Sequence, residues 1–82
     1  MRFIYLVYSE PIAVYSDPVI EVPSVVHHDP DTVLARVKEV FLDNAIIRVW
    51  RAPVTTPSAK DGRWIFHGPR SDLTLTCLRK LT

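Results

Sequence analysis

The sequence predicts an α+β domain in which one amphipathic helix packs on a four- to five-stranded, mainly antiparallel sheet. Three observations lead to this prediction. An apolar, strand-forming stretch lies near the N-terminus, an apolar stripe at helical spacing lies in the middle, and short alternating stretches separated by turn residues fill the second half. A chain of 82 residues suffices for one domain, residues 1–82, with a modest core.

The first predicted strand runs from Phe3 to Tyr8. All of its side chains are apolar or aromatic, which is typical of a strand that is covered on both faces and is central in its sheet. In residues 12–26, prolines interrupt short apolar pieces. Because proline lacks the N–H that sheet pairing needs, we expect only short edge strands or extended loop there.

The most clearly predicted element is a helix over residues 30–43. Asp29 can cap this helix by accepting amide hydrogen bonds, and Pro30 suits the first helical position. Asn44 is the expected stop, because asparagine tolerates the left-handed conformation found at helix ends. Between them, apolar residues recur at spacings of three and four and form one stripe: Val33, Leu34, Val37, Val40 and Phe41.

Three antiparallel strands are predicted after the helix, over residues 45–52, 63–67 and 73–81. Turn residues separate them, at Pro53 to Gly62 and again at Gly68 to Asp72. In the last strand, Leu73, Leu75 and Cys77 would share one face, so Cys77 is expected in the core.

One helix can cover only one face of such a sheet. The uncovered face would carry Arg48 and Trp50, which alternate with Ile47 and Val49. The strand over residues 63–67 would add one of two pairs to that face, since a register shift of one residue exchanges them: Trp64 with Phe66, or Arg63 with His67.

Charge is divided unevenly along the chain. Residues 1–44 contain three Lys/Arg and seven Asp/Glu, whereas residues 45–82 contain seven and two, so the halves sum to −4 and +5. The total of +1 disfavours an acidic mimic of nucleic acid and a general nucleic-acid coat protein.

Both tryptophans lie beside arginines in the basic half, and this pairing predicts a contact face. Aromatic rings and guanidinium planes provide contact area, stacking and charge at low entropic cost. The candidate contact residues are Arg48, Trp50, Arg51, Arg63 and Trp64.

This set has several interpretations. It could form a protein-binding face, a platform for single-stranded bases, or a face buried by dimerisation. The plainer alternative places the tryptophans in the core and the arginines on an ordinary surface. We expect a non-catalytic module that binds another protein, and the alternative function is nucleic-acid binding by the basic half.

Catalytic and metal-binding patterns are weak in this sequence. His27-His28-Asp29 is better explained as the lead into a capped helix, because adjacent histidines in extended chain point to opposite sides. Cys77 beside His67 or His28 would need an exposed, electropositive setting to react. Glu10, Asp17 and Glu21 are scattered, and Gly62 and Gly68 are too few for a phosphate-binding loop. We therefore expect no enzyme activity, no metal and no cofactor.

The overall composition leads to predictions about cellular location and oligomeric state. A lone cysteine is most simply explained by a cytoplasmic, reducing environment, and no apolar run approaches a membrane span or a secretory signal. An apolar share of 48% in so small a chain favours self-association as a homodimer. By size and class alone, such chains resemble phage and mobile-element proteins that inhibit a host machine.

Overall fold

The structure is a computed structural model, which describes residues 2–9, 23–54 and 62–80. In chain order its elements are β1 (Phe3–Ser9), β2 (Val25–His27), α1 (Pro30–Val40), β3 (Ile46–Pro53), β4 (Arg63–Pro69) and α2 (Leu75–Arg79). A turn of 3-10 helix over Arg70–Asp72 joins β4 to α2. The predicted α+β class with an antiparallel sheet is confirmed.

The four strands form one antiparallel sheet in the order β2-β1-β3-β4. β1 is therefore central, as its apolar sequence predicts. β2 is a three-residue edge strand that follows Pro23, in agreement with the expected short edge pieces. The rest of the proline-rich stretch, residues 12–22, lies outside the described residues, as do residues 55–61 of the predicted loop before β4.

Both helices pack on the same face of the sheet. Tyr5 and Val7 of β1 alternate with residues of the opposite face and are buried beneath the helices. The core joins side chains from the sheet with side chains from both helices: Tyr5, Val7, Val25, Val33, Val37, Ile47, Val49, Leu73 and Leu78.

The capped start of α1 is confirmed, but its predicted end is wrong. The Asp29 side chain accepts hydrogen bonds from the Thr32 amide at 3.1 Å and the Thr32 hydroxyl at 2.7 Å. The helix ends at Val40, three residues before the predicted residue 43, because Phe41 turns into extended backbone and packs against the core. A turn closed by the Ala45 amide and the Leu42 carbonyl then leads into β3.

The predicted third strand after the helix, over residues 73–81, is also wrong. Leu75–Arg79 is the helix α2, and the Thr74 side chain caps it by accepting from the Cys77 amide. Cys77 nevertheless packs against the core, as predicted, although from a helix. So short an apolar run is compatible with both the two-residue repeat of a strand and the 3.6-residue repeat of a helix. Its alternation therefore could not distinguish a strand from a helix.

Two side chains of the sheet fix the end of α2. Tyr5 donates its hydroxyl to the Leu78 carbonyl at 2.9 Å. Arg51, only 6% exposed, donates to the carbonyls of Leu78 at 3.3 Å and Lys80 at 2.5 Å. Its guanidinium also lies 4.4 Å from the centre of the Phe3 ring. These bonds supply partners for terminal carbonyls that a helix cannot satisfy internally.

We predict that Arg51→Met lowers the free energy of unfolding by about 2–3 kcal/mol, because the change leaves carbonyl oxygens at the end of α2 without charged donors. Urea unfolding measures this loss. Arg63→Met is the matched control, since Arg63 lies opposite Arg51 in β4 but is exposed, and it should change stability by less than about 0.5 kcal/mol. Equal losses in the two variants would contradict the role assigned to Arg51.

The cap of α1 predicts a dependence of stability on pH. The hydrogen bond from the Thr32 hydroxyl, followed by that from the Thr32 amide, lowers the pKa of Asp29 below its ordinary value of 3.8. The stabilisation is thus complete above that value and is lost as the pH falls through the lower folded-state pKa. In urea unfolding across acidic pH, Asp29→Ala should be less stable than wild type at neutral pH, and the difference should shrink in acid. A constant difference would be inconsistent with this cap.

Candidate functional site

The face of the sheet opposite the helices, here called the open face, carries the candidate site. Among the described residues, no helix lies on this face. Cross-strand pairing arranges its side chains in two main rows. One row contains Val26, Leu6, Trp50 and Trp64, and the other contains Tyr8, Arg48 and His67.

A β-bulge in β4 decides which of its residues reach the open face. Trp50 pairs with Trp64, but the preceding residue, Val49, pairs with Phe66, so Ile65 is an extra residue in β4. Trp64 and His67 therefore both lie on the open face. The sequence predicted either Trp64 with Phe66 or Arg63 with His67 on this face. Because of the bulge, one residue of each pair lies there instead.

Tyr8, Arg48, Trp50 and Trp64 form a ring cluster on this face. Trp64 meets Tyr8 and Trp50 edge to face, with ring centres 5.5 and 5.1 Å apart. The Arg48 guanidinium lies 5.7 Å from the centre of the Tyr8 ring and 5.1 Å from that of Trp64. It also donates to the Ser9 carbonyl at 2.8 Å. Arg48 is thus held in position, while Trp64 remains 46% exposed.

Gly62 leaves room for the Trp50 ring of the ring cluster. A Cβ atom added at Gly62 would lie 2.6 Å from Cε2 of Trp50 and 2.7 Å from the Arg51 carbonyl oxygen. Real Cβ atoms essentially never approach other atoms this closely. The absence of a side chain at Gly62 therefore leaves the space that the Trp50 indole occupies beside the start of β4.

The structure brings together three of the five predicted contact residues. Arg48, Trp50 and Trp64 belong to the ring cluster. The prediction that Arg51 lies on the contact face is wrong, because Arg51 pairs with Tyr5 and points beneath the helices. Arg63 pairs with Arg51 and so lies on the helix side of the sheet at its edge, away from the cluster, although it is exposed.

The described acidic residues all lie outside the sheet. None of the four strands contains Asp or Glu. The acids lie in or beside the helices and their turns: Asp29, Asp31, Glu39, Asp43 and Asp72.

The remaining candidate residues do not converge. Within residues 2–9, 23–54 and 62–80, no three His, Cys, Asp or Glu side chains could hold a metal ion. His27 and His28 do not point apart as expected, since their rings stack 4.7 Å apart at 13° and His27 Nδ1 accepts from the Asp29 amide. The hydrogen bonds from Thr74, its hydroxyl first, lower the pKa of the Cys77 thiol. Glu10, Asp17 and Glu21 lie outside the described residues.

The sequence interpretation missed Tyr8 as a member of the site. The stretch from Phe3 to Tyr8 is apolar throughout, which predicts a strand that is covered on both faces. Its even positions, Ile4, Leu6 and Tyr8, are only partly buried on the open face. The signal was available in the prediction that one helix covers one face, which requires half of a central strand to face the other way.

No protein-family model, curated protein or solved structure matches this chain. The fold and the ring cluster are therefore the basis for any functional assignment. In the part of the chain that the structure describes, no helix has the length and apolar character needed to cross a membrane.

We predict that Gly62→Ala disrupts the ring cluster, because the new methyl group would overlap the Trp50 indole. Overpacking of this kind costs about 1–3 kcal/mol, and the near-UV circular dichroism of the tryptophans should weaken. Gly68→Ala, within β4, is the matched control, since among the described residues its Cβ would meet only Phe66, at an ordinary 3.5 Å. An unchanged tryptophan signal in Gly62→Ala would contradict the packing described here.

Proposed function

We propose that the protein is a non-catalytic binding module whose open face contacts another protein that presents carboxylates among apolar side chains. The observation that supports this proposal best is the ring cluster. It combines a half-exposed tryptophan with an arginine that neighbouring rings hold in place, on a sheet without acidic residues.

The chemistry of the cluster suits a protein interface. Tryptophan and arginine are the residues most enriched at the energetic centres of such interfaces. Because Arg48 already rests against Tyr8 and Trp64, it would lose little conformational freedom on binding. Val26, 50% exposed, and the partly buried Leu6 extend the apolar surface across the sheet beside Trp50.

Nucleic-acid binding, the alternative function, has less support on this face. A groove that follows a nucleic-acid backbone needs several cations in a line and ring faces free for base stacking. Within the four strands, Arg48 is the one arginine whose side chain belongs to the open face, and its guanidinium lies against a face of Trp64. The rings pack mainly against one another and against Arg48.

Self-association stays a prediction. A two-fold contact through the open face would bring the same surface of two copies together, with Arg48 on both sides. Two guanidinium groups in one contact repel each other, so this face favours an acidic partner over a second copy.

We predict that Trp64→Ala weakens binding to the partner by about 30-fold or more, as expected for a tryptophan at the centre of an interface. Quantitative capture from lysate of the source cell would identify the partner, and calorimetry with the purified pair would measure the affinity. Leu42→Ala is the matched control. Leu42 is 77% exposed and lies in the turn after α1, so its removal should leave binding unchanged.

Two results would contradict this proposal. Equal affinity of the Trp64→Ala and Leu42→Ala variants would show that the ring cluster is not the contact. Tight binding of short single-stranded oligonucleotides, lost steeply as salt rises, would instead favour the nucleic-acid alternative, because phosphate contacts release counterions.

A further inference from the structure

A groove lies at the opposite edge of the sheet from β4, between β2 and α1. One wall consists of β2 with the residue before it, Ser24 to His27, and the other consists of Arg36 and Val40 of α1. Arg36 and Val40 are four residues apart, so they project from the same side of the helix. The groove holds about 240 Å³, which is below the range of about 300–1,000 Å³ typical of small-molecule sites.

The wall formed by β2 is a strand edge. Among the described residues, β2 has a hydrogen-bonded neighbour, β1, on one side only. On its other side, the main-chain groups of alternate residues point away from β1, and β2 forms one wall of the groove. An extended peptide can pair with such an edge, because main-chain hydrogen bonds give affinity and alternate side chains give specificity.

The opposite wall indicates which peptide would fit. Arg36 is exposed, and Val40 is 56% exposed beside it. Among the residues that the structure describes, none with a carboxylate lines the groove. A strand added to β2 would direct alternate side chains toward α1, where a carboxylate would meet Arg36. The intervening side chains would lie beside the exposed Val26 on the open face, where aliphatic groups fit best.

From this geometry we infer that the groove between β2 and α1 binds an extended peptide segment in which acidic and aliphatic residues alternate, by adding it to the sheet as a fifth strand. The site is separate from the ring cluster, so the inference does not depend on the proposed function. The added strand would continue the row of Val26, Leu6, Trp50 and Trp64, so one partner could occupy both surfaces.

The other edge of the sheet is less suited to this role. The bulge at Ile65 interrupts the regular pairing of β4, and the strand ends at Pro69, which lacks an N–H. Bulges and prolines are features that hinder the addition of a strand to an edge. β4 also carries the exposed Arg63, and a charged side chain on an edge strand likewise hinders pairing with another strand.

The test uses the whole protein and a fluorescein-labelled peptide of alternating valine and glutamate. Fluorescence anisotropy gives the affinity, and nuclear magnetic resonance of the ¹⁵N-labelled protein locates the site. We expect the amide signals of Val25, Val26 and His27 to shift, and the hydrogen exchange of the β2 amides that point away from β1 to slow. A valine–lysine peptide should not bind. The valine–glutamate peptide methylated on alternate amide nitrogens should bind at least about fivefold more weakly, since methylation removes the main-chain donors along one edge of the peptide.

Variants of α1 test the charged wall. Arg36→Gln should weaken binding of the valine–glutamate peptide about two- to fivefold, as expected for an exposed ion pair, and Arg36→Glu should weaken it further. Lys38→Glu is the matched control, because Lys38 is exposed on the same helix but does not line the groove. Trp64→Ala should leave peptide affinity unchanged, so failure of this inference and failure of the proposed function are distinguishable.

Three outcomes would overturn the inference. The first is equal binding of the methylated and unmethylated peptides. The second is a set of peptide-induced shifts confined to the tryptophan indoles and absent from β2. The third is protection of the β2 amides that rises with protein concentration without peptide, which would make a second copy of the chain the occupant of the edge.

Discussion

The helix layer depends on the hydrogen bonds that Tyr5 and Arg51 donate to the end of α2. Five residues are too few for a helix to be stable in water by itself. The sheet supplies what α2 lacks, namely donors for its terminal carbonyls and a core site for Leu78. Because α2 then packs against α1 and β4, the two helices together cover one face of the sheet. The opposite face receives neither helix and is free to carry the ring cluster.

The ring cluster depends on a second constraint, the bulge in β4. In a regular pairing, Trp64 and His67 would lie on opposite faces, because they are three residues apart. The extra residue, Ile65, moves His67 to the same face as Trp64 and lets Phe66 join the core. Gly62 provides the remaining condition, since the Trp50 indole occupies the space that a side chain there would need. Packing of the core and display of the aromatic residues are thus both consequences of one irregularity in an edge strand.

Much of the fold could be predicted from local patterns. The cap at Asp29, the apolar stripe of α1 and the alternation around Ile47 and Val49 each depend on neighbours a few residues away, and the structure agrees with all three. The C-terminal segment could not be predicted in this way. Its leucines fit either a strand or a helix, and Tyr5 and Arg51, distant in sequence, determine the outcome. The sequence places Arg51 with the contact residues because it directly follows Trp50, and its carbonyl partners cannot be recognised from sequence.

The sequence by itself determined the fold class, the position of the capped helix and which face of β3 carries Arg48 and Trp50. These follow from periodicity and capping, which are local properties of the chain. Only the tertiary structure decided that Trp64 and Tyr8 join that pair and that Arg51 does not. It also decided that β2, which among the described strands pairs with β1 alone, lies beside Arg36. Each of these depends on strand register or on contacts between segments far apart in the chain. A shift of one residue in strand register would exchange the two faces of a strand, although the local sequence pattern would stay the same.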